Sequence, residues 1–448
     1  MFNRTIIKEL EEWARKEHRK PLVLRGARQV GKTTAIEIFS KQFKQYIYLN
    51  LEIPADRELF EKNYTIDELI QAIFFLKNKN RLISKTLIFI DEIQNSPGAV
   101  SMLRYFYESA KEIFVITAGS LLEPLIDKHI SFPVGRVEYL YMKPLTFSEY
   151  IAAFGDVSSL EILAKIPCPS FAHDKLLKQF YQYALIGGMP EVVEAYIKTK
   201  DLQKLKPIYE SLLRSYLDDV EKYARSEALV RVMRHAIESS FYSAGSRIRF
   251  EGFGNSHYKS REMSEALKTL EKAMLVSLMY PSTKVSLPII RDYRKSPRLH
   301  LLDTGLINYF VGLQKGLFGT QNLDSIYEGK IAEHIIGQEL LAGCQAINEK
   351  VQFWVREKKQ ASAQVDYIIS FENYVIPIEV KAGNTGRLRS LHEFISRAPH
   401  NYAVRIYSGE LKIDRIKTIK GKEFFLLNLP FYLTGRIKQY LSWFLRKV

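Results

Sequence analysis

The chain has 448 residues, 46% hydrophobic and 26% charged, with 65 Lys and Arg against 50 Asp and Glu for a formal charge of +15. That length allows about two or three domains, and the positive excess favours a polyanionic partner, nucleic acid before an anionic membrane surface. Two cysteines, Cys168 and Cys344, far apart and outside any CxxC, argue against a disulfide framework or a zinc site. With no signal-peptide core and no uncharged run near the ~18 residues of a spanning helix, a soluble, cytoplasmic protein is expected.

In chain order, the first strong pattern is Pro21-Leu-Val-Leu24, an apolar strand, followed by Gly26-Ala-Arg-Gln-Val-Gly31-Lys32-Thr33 and a helix from Thr34 to Phe39. Strand, G-x-x-x-x-G-K-T, helix is the context of a phosphate-binding loop, which makes Gly26, Gln29, Val30, Gly31, Lys32, Thr33 and Thr34 the expected ATP contacts. The glycines let backbone N–H groups turn toward phosphate oxygens, Lys32 brings a point charge, and the Thr33 hydroxyl is placed to ligate Mg²⁺. Thr86-Leu-Ile-Phe-Ile-Asp91-Glu92 is then an apolar strand ending in two carboxylates. Asp91 is expected in the Mg²⁺ shell, and Glu92 as the group that orients or deprotonates the attacking water.

A third strand, Ile113 to Ile116, runs into Thr117-Ala-Gly-Ser120, which puts Thr117 and Ser120 forward either as γ-phosphate sensors or as caps of the next turn. Arg136, between Gly135 and the strand Val137 to Tyr141, is either a finger toward a γ-phosphate, in cis or across a homo-oligomer interface, or a surface arginine. With Tyr46 to Leu51 as a further strand, residues 1–150 read as an α/β, parallel, doubly wound P-loop domain. A helical region follows over 151–225, broken at Gly187-Gly-Met-Pro190. Residues 226–310 give helices and then strands at Val276 to Tyr280 and Arg298 to Leu302. The helix around Ser264 to Lys272, ringed by Lys259, Arg261, Lys268 and Lys272, reads as a winged-helix-like module, DNA-recognising or merely solvated.

Residues 311–448 carry a different chemistry. An amphipathic helix from Tyr327 to Leu341 contains Glu333; Val351 to Val355 is a strand; Gln364 to Ile369 and Val375 to Lys381 pair around Glu372-Asn373. Glu379 and Lys381 share one strand face, and Asp366 can join them from the neighbouring strand, an arrangement suited to a divalent cation and a water nucleophile. Asp366, Glu379 and Lys381 are therefore the catalytic candidates, and Glu333, Asp366 and Glu379 the candidate ligands of a second Mg²⁺ or Mn²⁺. Residues 401–448 hold ten basic and three acidic residues, which tilts the partner toward nucleic acid, DNA before RNA.

Taken together, Gly26 to Thr34, Asp91-Glu-Ile-Gln94, Gly135-Arg136 with Pro144-Leu-Thr-Phe-Ser-Glu149, Gly187-Gly-Met-Pro190, Leu302-Asp-Thr-Gly-Leu306 and Pro377-Ile-Glu-Val-Lys381 resemble the prokaryotic AAA-type ATPases with a C-terminal DUF4143 region, in order along nearly the whole chain. The resemblance implies an ATP-binding module, a winged-helix-like middle and a restriction-endonuclease-like, PD-(D/E)XK fold at the end. One position departs from it: Gln364 stands where the family usually has Glu before Val-Asp. Two functions are compatible with these signals. One is an ATPase acting on nucleic acid, with or without cutting it. The other is an ATP-switched interaction protein, binding a protein partner, whose nuclease-like domain is a docking scaffold.

Overall fold

The computed structural model describes residues 2, 4–119, 133, 135–224, 226–313, 330–344, 351–356, 363–382 and 388–448. They fall into two units: Met1–Lys143 with Lys272–Met274, and Pro144–Glu271 with Leu275–Val448. The helical, middle and C-terminal parts expected as separate domains belong to one unit, because their elements share buried surface.

In the first unit, β1 (Leu22–Arg25), β2 (Gln45–Asn50), β3 (Thr86–Asp91), β4 (Phe114–Gly119) and β5 (Glu138–Tyr141) form a parallel sheet in the order β2-β3-β4-β1-β5. Every residue of β3 is buried, as expected of a strand covered by helices on both faces, which is why its sequence runs apolar rather than alternating. The flanking helices begin where side chains cap them. Thr65 and Glu68 form a reciprocal capping box on Ile66–Leu76, and Ser96 with Pro97 opens Pro97–Ser109. Leu69, Ile73, Leu103 and Phe106 on these helices pack on Ile47, Leu49, Ile88 and Ile90 of the sheet.

The second unit begins with helices, the first, Phe147–Ala153, set by a Thr146–Glu149 capping box. Later, β6 (Val276–Met279), β7 (Pro281–Ser282) and β8 (Arg298–Leu301) follow the helix Ser260–Lys272. β6 pairs antiparallel with β8, and Arg247 bridges to Arg298 on the far side of β8. The C-terminal sheet adds β9 (Gln352–Val355), β10 (Gln364–Phe371), β11 (Tyr374–Lys381), β12 (Tyr402–Tyr407), β13 (Lys412–Lys417) and β14 (Glu423–Pro430), in the order β13-β14-β12-β11-β10-β9-β7.

The hairpin β10–β11 turns at Glu372, whose φ of 51° is the left-handed geometry a two-residue turn requires. A proline inside a central strand is unusual. β12 joins β11 only from Ile378, one residue after Pro377, so Pro377 sits where that side is still an edge. The helix Arg389–Ile395 covers one face, packing Leu391, Phe394 and Ile395 on Trp354, Val365, Ile368 and Ala403. β13 and β14 were not anticipated from sequence: Lys412–Lys417 carries charge on both faces and shows no clean alternation.

Candidate functional site

In the first unit, the loop leaving β1 takes two left-handed residues, Gln29 at φ 63° and Gly31 at φ 96°, and delivers Lys32 as the first residue of the helix Lys32–Ser40. A Cβ on Gly26 would stand 2.6 Å from the Met142 carbonyl oxygen, so the tight passage needs glycine there. The Lys32 ammonium donates to the carbonyls of Gly26 at 3.0 Å and Ala27 at 2.9 Å, inside the loop. The Thr33 hydroxyl donates to Asp91 Oδ2 at 2.8 Å, so the two residues expected around Mg²⁺ lie side by side although 58 positions apart in sequence. Both are hard oxygen donors, the set Mg²⁺ prefers.

Glu92 follows immediately, in left-handed backbone geometry at φ 52°. Its carboxylate accepts from the Gln94 amide, and burial raises its pKa against the lowering effect of that bond. Gln29 and Thr34 are exposed, and Val30 is buried with only its backbone belonging to the loop.

Several participants were missed in the sequence. Arg4 donates to the Val30 carbonyl at 3.1 Å and the Lys143 carbonyl at 2.6 Å, bracing the loop from behind. Tyr48 donates to Asp91 Oδ2 at 3.3 Å. Gln94 holds Glu92 and sits where any side chain at Gly119 would collide. Arg4 and Tyr48 reach the site across long sequence separations; only Gln94, two residues past Glu92, was within range of a local pattern.

Two expectations need correction. Thr117 is fully buried, its hydroxyl facing the Leu22 carbonyl at 3.5 Å inside the sheet. Pointing into the layer, it presents nothing to a γ-phosphate. Arg136 precedes β5, whose Glu138 pairs with Leu22 and Tyr141 with Arg25. It therefore lies at the N-terminal edge of a parallel sheet whose C-terminal edge carries the loop, and it pairs there with Glu108 at 3.3 Å. That edge is opposite the loop, and the Glu108 pairing fits the surface-arginine alternative. Ser120 lies outside the described residues.

In the second unit, β10 and β11 bring Asp366, Glu379 and Lys381 together. Asp366 Oδ2 accepts the Val380 N–H at 3.0 Å, and Lys381 Nζ donates to Glu379 Oε1 at 2.8 Å. Glu379 is 5% exposed, and its Oε2 is buried with no hydrogen-bond partner among the described residues. Burial, and then the Asp366 charge, push the Glu379 carboxyl upward; burial likewise raises Asp366 against the opposing Arg298 charge. Burial works to lower the Lys381 ammonium, but Glu379 and Asp366 outweigh it and the net direction is up.

Glu333 does not join this pair as a ligand. Arg298 comes between, 3.6 Å from Glu333 Oε2 and 3.6 Å from Asp366 Oδ1, and among the described residues no group of three or more His, Cys, Asp or Glu is spaced to hold a metal ion.

Two further motifs meet each other. Asp303, fully buried, accepts the Gly188 N–H at 2.6 Å and the Leu306 N–H at 3.2 Å. Gly187, at φ +76°, has no room for a Cβ, which would stand 2.1 Å from Asp303 Oδ1. Alongside, Glu339 accepts from the Phe147 N–H at 2.9 Å and the Tyr183 hydroxyl at 2.8 Å, and Gln338 reaches both Tyr183 and Asp303. The Gly-Gly-Met-Pro break is thus held by the Leu-Asp-Thr-Gly-Leu segment. A Cβ on Gly188 would stand 2.3 Å from the Leu145 carbonyl oxygen, so Gly188→Ala is expected to destabilise the protein by more than about 2 kcal/mol, read by thermal unfolding.

The model of an AAA domain matches residues 18–151, and two domains of unknown function, DUF8612 and DUF4143, match residues 177–316 and 328–430. A search of curated proteins finds no match. Among solved structures, a Walker-type ATPase of Pyrococcus abyssi is similar at 15% identity and a TM-score of 0.44, over 69% of this chain and 96% of that one. The RuvB Holliday junction branch migration motor of Thermotoga maritima is similar at 14% identity and a TM-score of 0.27, over 62% and 90%. An Orc1 protein of Aeropyrum pernix, solved in complex with DNA, is similar at 14% identity and a TM-score of 0.26, over 68% and 90%. Among the described residues no helix is long and apolar enough to cross a membrane.

Proposed function

We propose that this chain, which carries an AAA domain at its N-terminus and a DUF4143 region at its C-terminus, is a Mg²⁺-dependent ATPase whose second unit binds nucleic acid, DNA in preference to RNA. The observation that carries the ATPase reading is the 2.8 Å contact of Thr33 with Asp91 beside Glu92, at the mouth of the loop that holds Lys32. Lys32 binds the terminal phosphates, the loop N–H groups orient them, and Glu92 takes the proton of the attacking water. Mg²⁺, held through Thr33 and Asp91, would neutralise charge on the β- and γ-phosphates.

For the partner, support comes from the +15 balance and from the element order of the middle region. The helix Glu227–Tyr242, the bridging residue Arg247, the helix Ser260–Lys272 and the β6–β8 pair follow one another as in a winged helix. Arg261 and Lys268 are exposed on the second of these helices. Binding should weaken steeply as salt rises, since each neutralised phosphate releases counterions. Fluorescence anisotropy on DNA and on RNA measures this, and no binding to either at low salt would refute the nucleic-acid reading. ATP turnover with and without each, in Mg²⁺ and then Mn²⁺, tests the coupling.

The helix Lys330–Ala342, the three antiparallel strands β9 to β11, the helix Arg389–Ile395 and β12 follow the order of a restriction-endonuclease-like core, and the unpartnered Glu379 Oε2 suits a divalent cation. Asp366 and Glu379 would hold that cation and Lys381 would steady charge on a phosphate. The Arg298 contact favours a second reading, in which this domain is a docking scaffold that does not cut. A nuclease assay in Mn²⁺ separates the two.

A further inference from the structure

Among the described residues, Arg298 is the least explained charge. It is 1% exposed, comes from β8 outside the C-terminal sheet, and lies 68 positions from the Asp366 carbonyl to which its Nη1 donates at 3.0 Å. Its guanidinium stands 5.1 Å from the Phe353 ring centre and 5.5 Å from that of Tyr367, flanked by their faces. Nη1 and Nη2 each lie 3.6 Å from a carboxylate oxygen, of Glu333 and Asp366 respectively. A side chain only 2% exposed cannot reach a phosphate in solvent, so substrate contact is ruled out by burial. An arginine buried this way needs paired acids, and acids buried this way need a cation; each explains the other.

Charge and lone pairs then set what else the site can take. Glu333, Asp366 and Glu379 face Arg298 and Lys381, which leaves one formal negative charge among these five when all are ionised, and Arg247, over the same Phe353 ring as Arg298, adds a positive one nearby. A dication would turn that into an excess of positive charge. The oxygens are committed as well. Asp366 Oδ2 accepts the Val380 N–H, Asp366 Oδ1 faces Arg298, and Glu379 Oε1 accepts from Lys381. Among the described residues Glu379 Oε2 alone of these four is without a partner, whereas Mg²⁺ is usually held through one or two carboxylates.

We infer that Arg298 is the resident cation of the C-terminal carboxylate site, a positioning residue that holds Asp366 and Glu333 in place of part of a divalent ion's charge and so keeps the site's affinity for Mn²⁺ low. The inference rests on the reading of Asp366 and Glu379 as a cation site, and it does not depend on cleavage or on ATP.

The test is Mn²⁺ binding to the nucleotide-free full chain, followed by electron paramagnetic resonance of the free ion and by the unfolding midpoint with and without Mn²⁺. Arg298→Met removes the charge and keeps a similar stem. Arg298→Met with Glu333→Gln preserves the net charge, which keeps a folded protein available if the single variant collapses. Either folded variant should bind Mn²⁺ at least about ten-fold more tightly than the parent. Its unfolding midpoint should rise on adding Mn²⁺ where the parent's does not. Arg298→Lys should return weak binding, a rescue that a purely structural role would not show. Adding Glu379→Gln to the Arg298→Met background should abolish the gain. If the parent already binds as tightly as the variants, the inference fails while the cation site stands. If no variant binds, and Mn²⁺ recovers none of them, both fail.

Discussion

Lys32→Ala is expected to abolish measurable ATP binding, and Glu92→Gln to leave binding intact while slowing turnover by at least about ten-fold. The two differ because of where each group sits. Lys32 lies inside the loop on the Gly26 and Ala27 carbonyls, and in the proposed role its ammonium would meet phosphate in ground and transition states alike. Glu92 stands beside Asp91 with its carboxylate held by Gln94, and in the proposed role it would act on the water and not on the phosphates. Nucleotide titration by fluorescence together with phosphate release separates the effects. An unchanged hydrolysis rate in Lys32→Ala would dismantle the site.

From the buried acids of the second unit, Asp303 and Glu339, a loss of stability is expected as the pH rises from about 5 to 7, opposed up to about 6.5 by His334, whose imidazole burial holds below its ordinary range. Burial lifts the Asp303 carboxyl to about 6 and that of Glu339 to about 7, both above their ordinary values of 3.8 and 4.5. Folding therefore favours the protonated acids. Their contribution is fully present below the unfolded values near 4 and is lost as pH rises through about 6 to 7. For groups this buried, the loss from pH 5 upward amounts to roughly 1 to 3 kcal/mol each.

The amide variants should diverge. Glu339→Gln keeps the one oxygen that accepts from both Phe147 and Tyr183, so it should match or exceed the parent at pH 8 and flatten the pH dependence. Asp303→Asn turns an NH₂ toward Gly188 or Leu306, both donors, and should lower stability by about 1 to 3 kcal/mol across the range. Thermal and urea unfolding from pH 5 to 8 reads both, and equal behaviour of the two variants would contradict the hydrogen-bond assignment.

Much of this was legible in sequence where the causes are local. The apolar runs of β1, β3 and β4, the glycine loop, the Asp91-Glu92 pair and the β10–β11 hairpin all follow from short-range patterns, and they lie within a residue or a few of where they were expected. What pattern reading lacks is direction and distance. It left Arg136 open between a finger and a surface arginine, because only the sheet shows that parallel strands put their beginnings at the opposite edge from the loop. It joined Glu333 to Asp366 as an outer or additional ligand because its helix precedes the strands, with no means of knowing that an arginine from another sheet would contact both. Gly187 and Asp303 were each conspicuous, and their contact across more than a hundred positions was invisible until the chain folded.

The two rims of the seven-stranded sheet bear on how this protein can meet others. One rim, β7, is two residues long and starts with a proline. The other, β13, carries Lys412, Asp414, Arg415 and Lys417 along its open side. Neither offers the long uncharged backbone on which a foreign strand could continue the ladder, so self-association by strand addition, and with it fibrous growth, is closed off at this sheet. Whatever engages this sheet at β7 or β13 meets side chains before backbone.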